Sequence, residues 1–186
     1  MEERRMDAMD APSAATPQQQ GGQTSLWQDL LALLVKLLVL FAVFWLIFHY
    51  IFGVHRYLST NMSPAIQDGD LALFYRLDHS YSAGEVAVFS YEGKTLLARV
   101  VAVAGDTVDF NENGMLINGA LVQEDRIYTE TTMFREGVTF PVRVGEGQIF
   151  VLGDNRPHAT DSRIFGCVDI EDVEGKVIGL LRRRNL

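Results

Sequence analysis

The segment NENGMLINGALV, residues 111–122, decides the fold class that the sequence predicts. It holds two short apolar stretches and two Asn-Gly pairs, Asn113-Gly114 and Asn118-Gly119. Asn-Gly favours two-residue turns whose residues take positive φ, and such turns join neighbouring antiparallel strands. The segment therefore predicts consecutive β-hairpins.

The same pattern continues on both sides of this segment. Short runs rich in Val, Ile, Leu and Phe alternate with Gly, Asp and Asn, as is typical of strands joined by tight turns. The runs are LALFYRL, EVAVFSY, ARVVAVAG and QIFVLGD, at residues 71–77, 85–91, 98–105 and 148–154. No long segment with helical periodicity follows them. We therefore expect an all-β domain, built mainly of antiparallel sheets, over residues 55–186.

A long apolar segment precedes this domain. LLALLVKLLVLFAVFWLIFHYIFG, residues 30–53, is interrupted by Lys36 and His49, and about 20 apolar residues span a bilayer as a helix. A cleaved signal peptide has a shorter apolar run and a small-residue cleavage site, and a core helix is rarely apolar on every face. We therefore expect one transmembrane helix within residues 26–54. The polar residues 1–25 cannot bury a core and are predicted to be disordered.

Composition and charge exclude several kinds of site. The formal net charge is −8, whereas nucleic-acid binding needs a clustered basic face, and the basic run Arg182-Arg183-Arg184 is interpreted as a solvated terminus. The single cysteine, Cys167, excludes an intrachain disulfide. His55, His79 and His158 do not have the spacing of metal ligands. We therefore expect no nucleic acid, no metal and no cofactor.

Four segments of the domain form a recognisable pattern. They are STNMSPAI at 59–66, Gly69-Asp70 with the strand after it, ARVVAVAGDTV at 98–108 and GDNRPHATDSRIFG at 153–166. In order and spacing, and with one anchor upstream, they resemble the type I signal peptidase family. The family's corresponding patterns are S-x-S-M-x-P, K-R-V-V-G-x-P-G-D and G-D-N-R-x-x-S-x-D-S-R-x-x-G. The resemblance implies a β domain of signal-peptidase type from about Val54 onward.

The resemblance implies a peptidase site that has lost its reacting groups. The family hydrolyses amides with a serine, which needs an adjacent base, and with a lysine kept neutral by desolvation. The nucleophile position corresponds to Asn61, the base position to Ala98, and the serine that positions the lysine to Ala159. An amide nitrogen is not a useful nucleophile and a methyl group takes no proton. Loss of both dyad members removes the acylation route, so we expect no peptidase activity.

The rest of the pattern is retained. The resemblance assigns Ser59 to the hydroxyl that completes the oxyanion hole in part of the family, and Met62 and Pro64 to the cleft floor. It also implies a structural frame of ion pairs and hydrogen bonds beneath the site, formed by Asp154, Arg156, Asp161 and Arg163. Because the losses fall on the chemical groups and spare the scaffold, we expect a cleft that still binds polypeptides.

The resemblance also implies a cellular setting. Signal-peptidase-like proteins that lack the dyad are associated with assembly of surface pili in some Gram-positive bacteria. We therefore expect a secreted or pilin-type client, an accessory or chaperone role, and a partner enzyme such as a sortase or signal peptidase. We expect a single-pass protein of the cell membrane with a cytoplasmic N-terminus and an extracytoplasmic β domain. The charges beside the anchor barely decide this orientation.

One alternative is an active signal peptidase that removes signal peptides with displaced residues, Ser59 or Ser63 as nucleophile and Lys94 as base. Strand alternation would place Ser59 on the face of Asn61, and Lys94 on the face of Ala98. Two residues displace a side chain by about 7 Å and four by about 13 Å. A nucleophile and its base must lie within about 3 Å of each other, so the displacement disfavours this alternative.

Two further alternatives concern the origin and fate of Asn61. Asn61 and Ala98 as engineered substitutions would trap a substrate, although Ala159 is a third change that this purpose does not need. Self-cleavage at Asn61-Met62 would leave two fragments on a gel.

Overall fold

The computed structural model of the chain describes residues 26–124, 127, 131–134 and 137–182. The tail predicted to be disordered, residues 1–25, lies outside the described residues. The chain divides into two compact units, Met1–Phe41 and Ala42–Leu186.

An apolar helix opens the described chain. Helix α1 spans Leu26–Leu46 and continues into one π-helical turn, Ile47–Ile51. None of the residues of α1 is buried. Among the described residues Leu26–Ile51 is the one helix long and apolar enough to cross a membrane, and an 18-residue window within it has a mean hydropathy of 2.9. A helix that is apolar on every face needs apolar surroundings. The prediction of one apolar helix ahead of the β domain is confirmed.

The second unit is built of antiparallel strands in two sheets. The strands of the larger sheet are β1 (Phe52–Arg56), β2 (Leu71–Tyr75), β3 (Val86–Tyr91), β4 (Lys94–Val103), β9 (Gln148–Leu152), β10 (Val168–Asp169) and β11 (Val173–Leu181). Their order is β1-β2-β11-β3-β4-β9-β10. The strands of the smaller sheet are β5 (Thr107–Asn111), β6 (Gly114–Ile117), β7 (Ala120–Leu121) and β8 (Val142–Arg143), in the order β7-β6-β5-β8. Short helical turns are α2 (Ser162–Phe165) and a 3₁₀ turn at Ile170–Asp172. The prediction of mainly antiparallel sheets is confirmed.

The hairpins of the smaller sheet test the turn predictions directly. Asn118 and Gly119, with φ of 54° and 80°, join β6 to β7 as predicted. The other turn lies one residue earlier than the Asn-Gly pair, because Asn111 pairs with Gly114 across β5 and β6. This register brings Phe110 opposite Met115, and both are buried. Burial of this pair therefore sets the register more strongly than the Asn-Gly preference.

The larger sheet begins before the domain boundary predicted at residue 55. β1 starts at Phe52, which pairs with Tyr75 of β2. Phe52 and Val54 are apolar and continue the hydropathy of the helix, so hydropathy alone does not separate anchor from strand.

Apolar clusters on both faces of the larger sheet position the loop that follows β1. Along β4, Leu97 belongs to a cluster with Met62 and other residues of that loop, whereas Ala98 belongs to a cluster with Phe89 and Val151. Because neighbouring side chains of a strand point to opposite faces, one strand contributes to both clusters. The loop at residues 57–66 is thus attached to the sheet by burial of Tyr57, Met62 and Ile66, each at most 2% exposed.

Candidate functional site

The loop at residues 57–66 is closed by backbone hydrogen bonds at its base. The Tyr57 N–H donates to the Asp70 carbonyl and the Gly69 N–H donates to the Tyr57 carbonyl, both at 2.8 Å. The Met62 N–H donates to the Tyr57 hydroxyl at 2.8 Å. Burial raises the pKa of Tyr57 although hydrogen bonds with Ser59 and the Met62 N–H lower it. The loop therefore rests on a neutral, buried tyrosine.

Asn61 connects this loop to the segment 153–160. Its side-chain Nδ2 donates to the Thr160 carbonyl at 3.2 Å, and its backbone carbonyl accepts the Asn155 N–H at 2.9 Å. Its own N–H donates to Ser59 Oγ at 3.2 Å. The residue is 9% exposed. Three hydrogen bonds thus hold Asn61 in place.

Gly153 lies where the two segments approach most closely. A Cβ atom at this position would lie 2.7 Å from the Asn61 carbonyl oxygen and would clash with the Ala159 methyl group. Only glycine permits such close approach. The structure therefore brings Asn61 and Ala159 together around Gly153.

Ala98 lies on β4 and is 1% exposed. It pairs with Ala87 of β3 and packs in the cluster of Phe89 and Val151. Leu96 lies on the same face of β4 and, with Asn61, lines a cavity of about 560 Å³. The position is thus desolvated, as a lysine base in its neutral form requires.

Strand alternation holds for Lys94, which lies in β4 with Ala98, but not for Ser59. β1 ends at Arg56, so alternation does not extend to Ser59, whose Oγ instead accepts the Asn61 N–H. Lys94, at the start of β4, lines the same cavity as Ser59 and is exposed. Ser63 is half-buried and does not border this cavity.

The two residues assigned to the cleft floor do not line the cavity. Met62 is fully buried in the cluster beneath the loop, and Pro64 is exposed. Neither borders the 560 Å³ cavity. Met62 is directed into the core because Tyr57 and Ile66 pack with it there.

Two strand edges border this cavity. Within the described residues β1 is an edge strand that pairs only with β2. β4 pairs with β9 only from Arg99 onward, so no strand of the described chain pairs with residues 94–98 on that side. The cavity is lined by residues 55–56 of β1 with the loop residues 57–59, and by residues 94–96 of β4. Unpaired strand edges offer N–H and C=O groups to an added strand.

Asp154 is paired with Arg99, a partner that the sequence analysis did not identify. Arg99 Nε donates to Asp154 Oδ1 at 2.8 Å and Nη2 donates to Oδ2 at 2.5 Å. Its third nitrogen donates to the Gly84 carbonyl at 2.7 Å. This fork raises the pKa of Arg99 against the opposing effect of burial. The position directly after Ala98, within the K-R-V-V pattern, is the signal that would have identified Arg99.

Arg156 is fully buried and forms a second fork. Nη1 and Nη2 donate to the two carboxylate oxygens of Glu124 at 2.5 and 2.7 Å, and Nε donates to the Gly153 carbonyl at 2.9 Å. Nη1 also contacts the Thr131 hydroxyl. Glu124 lies outside all four motifs, so no sequence signal identified it.

Asp161 and Arg163 form a buried pair within one turn. Arg163 Nε and Nη2 donate to the Asp161 carboxylate at 2.9 and 2.8 Å. Asp161 also accepts the Arg163 and Gly153 N–H groups, each at 3.1 Å, and caps α2. Arg163 Nη2 donates to the Arg156 carbonyl at 2.6 Å. These charge-assisted bonds hold the segment 153–163 in one geometry.

Comparisons with known proteins identify the family of this chain. A family model described as "Signal peptidase, peptidase S26" matches residues 30–181. A probable signal peptidase I-1 of Synechocystis sp. is 27% identical over 158 residues, which is 77% of this chain and 79% of that protein. Signal peptidase I of Bacillus caldolyticus is 31% identical over 144 residues, 69% of this chain and 78% of that protein. A crystal structure of a signal peptidase I from Enterococcus faecalis V583 aligns with a TM-score of 0.44 at 28% identity, covering 53% of this chain and 97% of that one.

Proposed function

The chain belongs to the signal peptidase family, peptidase S26, and from this premise we propose that it binds extended polypeptides without cleaving them. The observation that carries the proposal is the pair Asn61 and Ala98 at the positions of nucleophile and base. A carboxamide and a methyl group supply neither a nucleophile nor a proton acceptor. The third position, Ala159, has no hydroxyl either.

The packing around these positions supports a binding role. Gly153 accommodates the Asn61 carbonyl, and three buried or nearly buried ion pairs, Arg99–Asp154, Arg156–Glu124 and Arg163–Asp161, hold the neighbouring segment. These charge-assisted bonds keep the loop of Asn61 and its neighbouring segment in the geometry that a bound polypeptide would meet. Asp154, Arg156, Asp161 and Arg163 are in this proposal structural residues beneath the cleft.

Binding by strand addition is supported by the two edges that border the cavity. The client, in an extended conformation, lies between the edge of β1 and residues 94–98 of β4. Its backbone hydrogen bonds give the affinity, and side-chain pockets give the specificity. In the same cavity the Ser59 hydroxyl donates a hydrogen bond to a carbonyl oxygen of the client.

The cellular role proposed here follows from the family resemblance. The apolar helix is a single-pass anchor in the cell membrane, with the N-terminus in the cytoplasm and the β domain outside. The client is a secreted or pilin-type polypeptide, and the protein acts as an accessory or chaperone in surface protein or pilus assembly. A sortase or an active signal peptidase is the partner enzyme.

An active peptidase is the second candidate, favoured by one observation. Ser59 and Lys94 line the same cavity. A lysine base, however, requires burial that removes its ammonium group from water, and Lys94 is exposed. Steady cleavage of a signal peptide that Ser59→Ala or Lys94→Ala abolishes would establish this candidate.

Binding is tested with a short fluorescently labelled signal-peptide segment and the purified full chain in detergent. We compare Leu58→Glu with Leu77→Glu by fluorescence anisotropy. Both leucines are largely exposed, at 68% and 59%, but only Leu58 lines the cavity. Loss of one apolar contact should weaken binding by Leu58→Glu about tenfold, whereas Leu77→Glu should bind like the wild type.

Two results would contradict the proposed binding. One is the absence of measurable affinity for every signal-peptide and pilin segment tested. The other is an equal loss of affinity in both leucine variants, because this would indicate a contact outside the cavity.

A further inference from the structure

Resting on the proposed function, we propose that Asn61 is itself a client-binding residue whose side-chain Oδ1 accepts a hydrogen bond from a backbone N–H of the bound polypeptide. Asn61, the residue at the nucleophile position, would thus bind an intact peptide group of the client.

The orientation of the Asn61 carboxamide follows from its neighbour. The partner of the side chain is the carbonyl oxygen of Thr160, at 3.2 Å. A carbonyl oxygen only accepts hydrogen bonds, so the amide nitrogen must face it. The Oδ1 atom therefore points away from Thr160.

Oδ1 has no partner of its own among the described residues. Asn61 is 9% exposed, and its Nδ2, N–H and backbone carbonyl are all paired. Two polar side-chain atoms of the described residues are fully enclosed and unpaired, Arg76 Nε and the Tyr81 hydroxyl oxygen. Asn61 Oδ1 is not one of them, so part of its surface is accessible. Because Asn61 lines the 560 Å³ cavity, the accessible part of this acceptor faces it. The acceptor is therefore available to a donor that enters the cavity.

An extended client would supply the missing donor. Successive N–H groups of an extended chain alternate between its two sides, so a client bound along β1 or β4 presents one N–H to the loop every second residue. The inference also restricts the client. Proline has no N–H, so the residue opposite Asn61 must be one other than proline.

The test is a scan of the signal-peptide probe in which one backbone amide at a time carries an N-methyl group. Each N-methyl group removes one donor without changing the side chains. Every peptide is titrated against the wild type, Asn61→Leu and Asn61→Ala in detergent. Leucine has a similar volume to asparagine and no polar side-chain atoms. Ser63→Ala is the matched control, since Ser63 lies in the same loop and does not line the cavity.

The expected result is a double-mutant cycle with coupling at one peptide position. At that position N-methylation weakens binding to the wild type and to Ser63→Ala about tenfold, as expected for the loss of one hydrogen bond. The same N-methyl group has less than about a twofold effect on Asn61→Leu and Asn61→Ala. Melting curves identify folded variants, and Asn61→Ala decides if Asn61→Leu does not fold.

Two outcomes would overturn the inference, and they are distinguishable. If the wild type binds the unmodified probe and N-methyl penalties occur but are equal in all variants, Asn61 is not the acceptor and the proposed function stands; if no position is sensitive, binding by strand addition fails as well. If the wild type does not bind the unmodified probe, the proposed function fails and the role of Asn61 fails with it.

Discussion

At the scale of single residues, the frame beneath the cleft depends on Arg156. This side chain is fully buried and has Glu124 and the Gly153 carbonyl as partners. Arg156→Leu should lower the free energy of unfolding by about 2–4 kcal/mol, because it removes the hydrogen bonds of a fully buried guanidinium and leaves the half-buried Glu124 carboxylate without its partner. Urea denaturation in detergent measures the change. Arg143→Leu on β8 is the control, and as a change at an exposed position it should cost less than about 0.5 kcal/mol; equal losses would contradict the role of the fork.

The single cysteine provides a second test at this scale. Burial, and then the nearby charge of Asp169, raise the pKa of the Cys167 thiol. Thiol reagents attack the thiolate, so a raised pKa slows their reaction. At about pH 8 the folded chain should react with a disulfide reagent at least about tenfold more slowly than the urea-unfolded chain. Equal rates would show that the Cys167 thiol is not shielded by the fold and that its pKa is not raised.

At the scale of elements, substitution of two glycines of β11 should have different effects on stability. Gly175 lies at a register shift, and a Cβ there would meet the Tyr75 carbonyl and lie 2.9 Å from Phe74 Cδ2. Gly179 has nothing within 4 Å of such a Cβ. Gly175→Ala should therefore destabilise the domain by about 1–3 kcal/mol, as overpacking does. Gly179→Ala should change stability by less than about 0.5 kcal/mol, and thermal melting that ranks the two variants the other way would contradict the packing described here.

The segment between β2 and β3 is attached to β11 by ion pairs, one of which depends on the ionisation of Asp78. Lys176 Nζ lies 2.9 Å from Asp78 and 3.0 Å from Glu85. Hydrogen bonds from Ser80, and then from Lys176, lower the pKa of Asp78 below its ordinary value of 3.8. A carboxylate with a lowered pKa stabilises the fold above its unfolded pKa, and this stability is lost as the pH falls towards the folded value.

The expected effect is a pH-dependent difference between the wild type and Asp78→Asn. The wild type should melt at the higher temperature at neutral pH, and the difference should narrow below about pH 4 as Asp78 becomes protonated. A difference that stays constant down to acid pH would show that the contribution of Asp78 is not electrostatic.

At the scale of the whole molecule, local patterns predicted the class of fold but not its connections. The strands around Phe89 and Val151 were predictable because apolar runs between turn residues are local features. The start of β1 at Phe52 was not, since that strand continues the apolar helix. The turn between β5 and β6 lies one residue before the predicted Asn113-Gly114 position. The reason is that burial of Phe110 against Met115 depends on the sheet and not on the Asn-Gly pair.

For the candidate site, the sequence suggested residues but could not give their contacts. Asn61, Ala98 and Ala159 stood out because they interrupt a pattern of chemical groups. The orientation of the Asn61 carboxamide depends on Thr160, 99 positions away in the chain. The partner of Arg156 is Glu124, which lies in no motif. Such contacts arise only after the sheet brings distant loops together.

The most direct measurement is a paired cleavage assay of the full chain in detergent with a signal-peptide substrate. The wild type is incubated beside the double variant Asn61→Ser with Ala98→Lys, which restores the nucleophile and the base. We expect no cleavage by the wild type and cleavage by the double variant, because the proposed function retains the cleft and lacks only the reacting groups. Silence of both would contradict the retained cleft, and cleavage by the wild type would contradict the account as a whole.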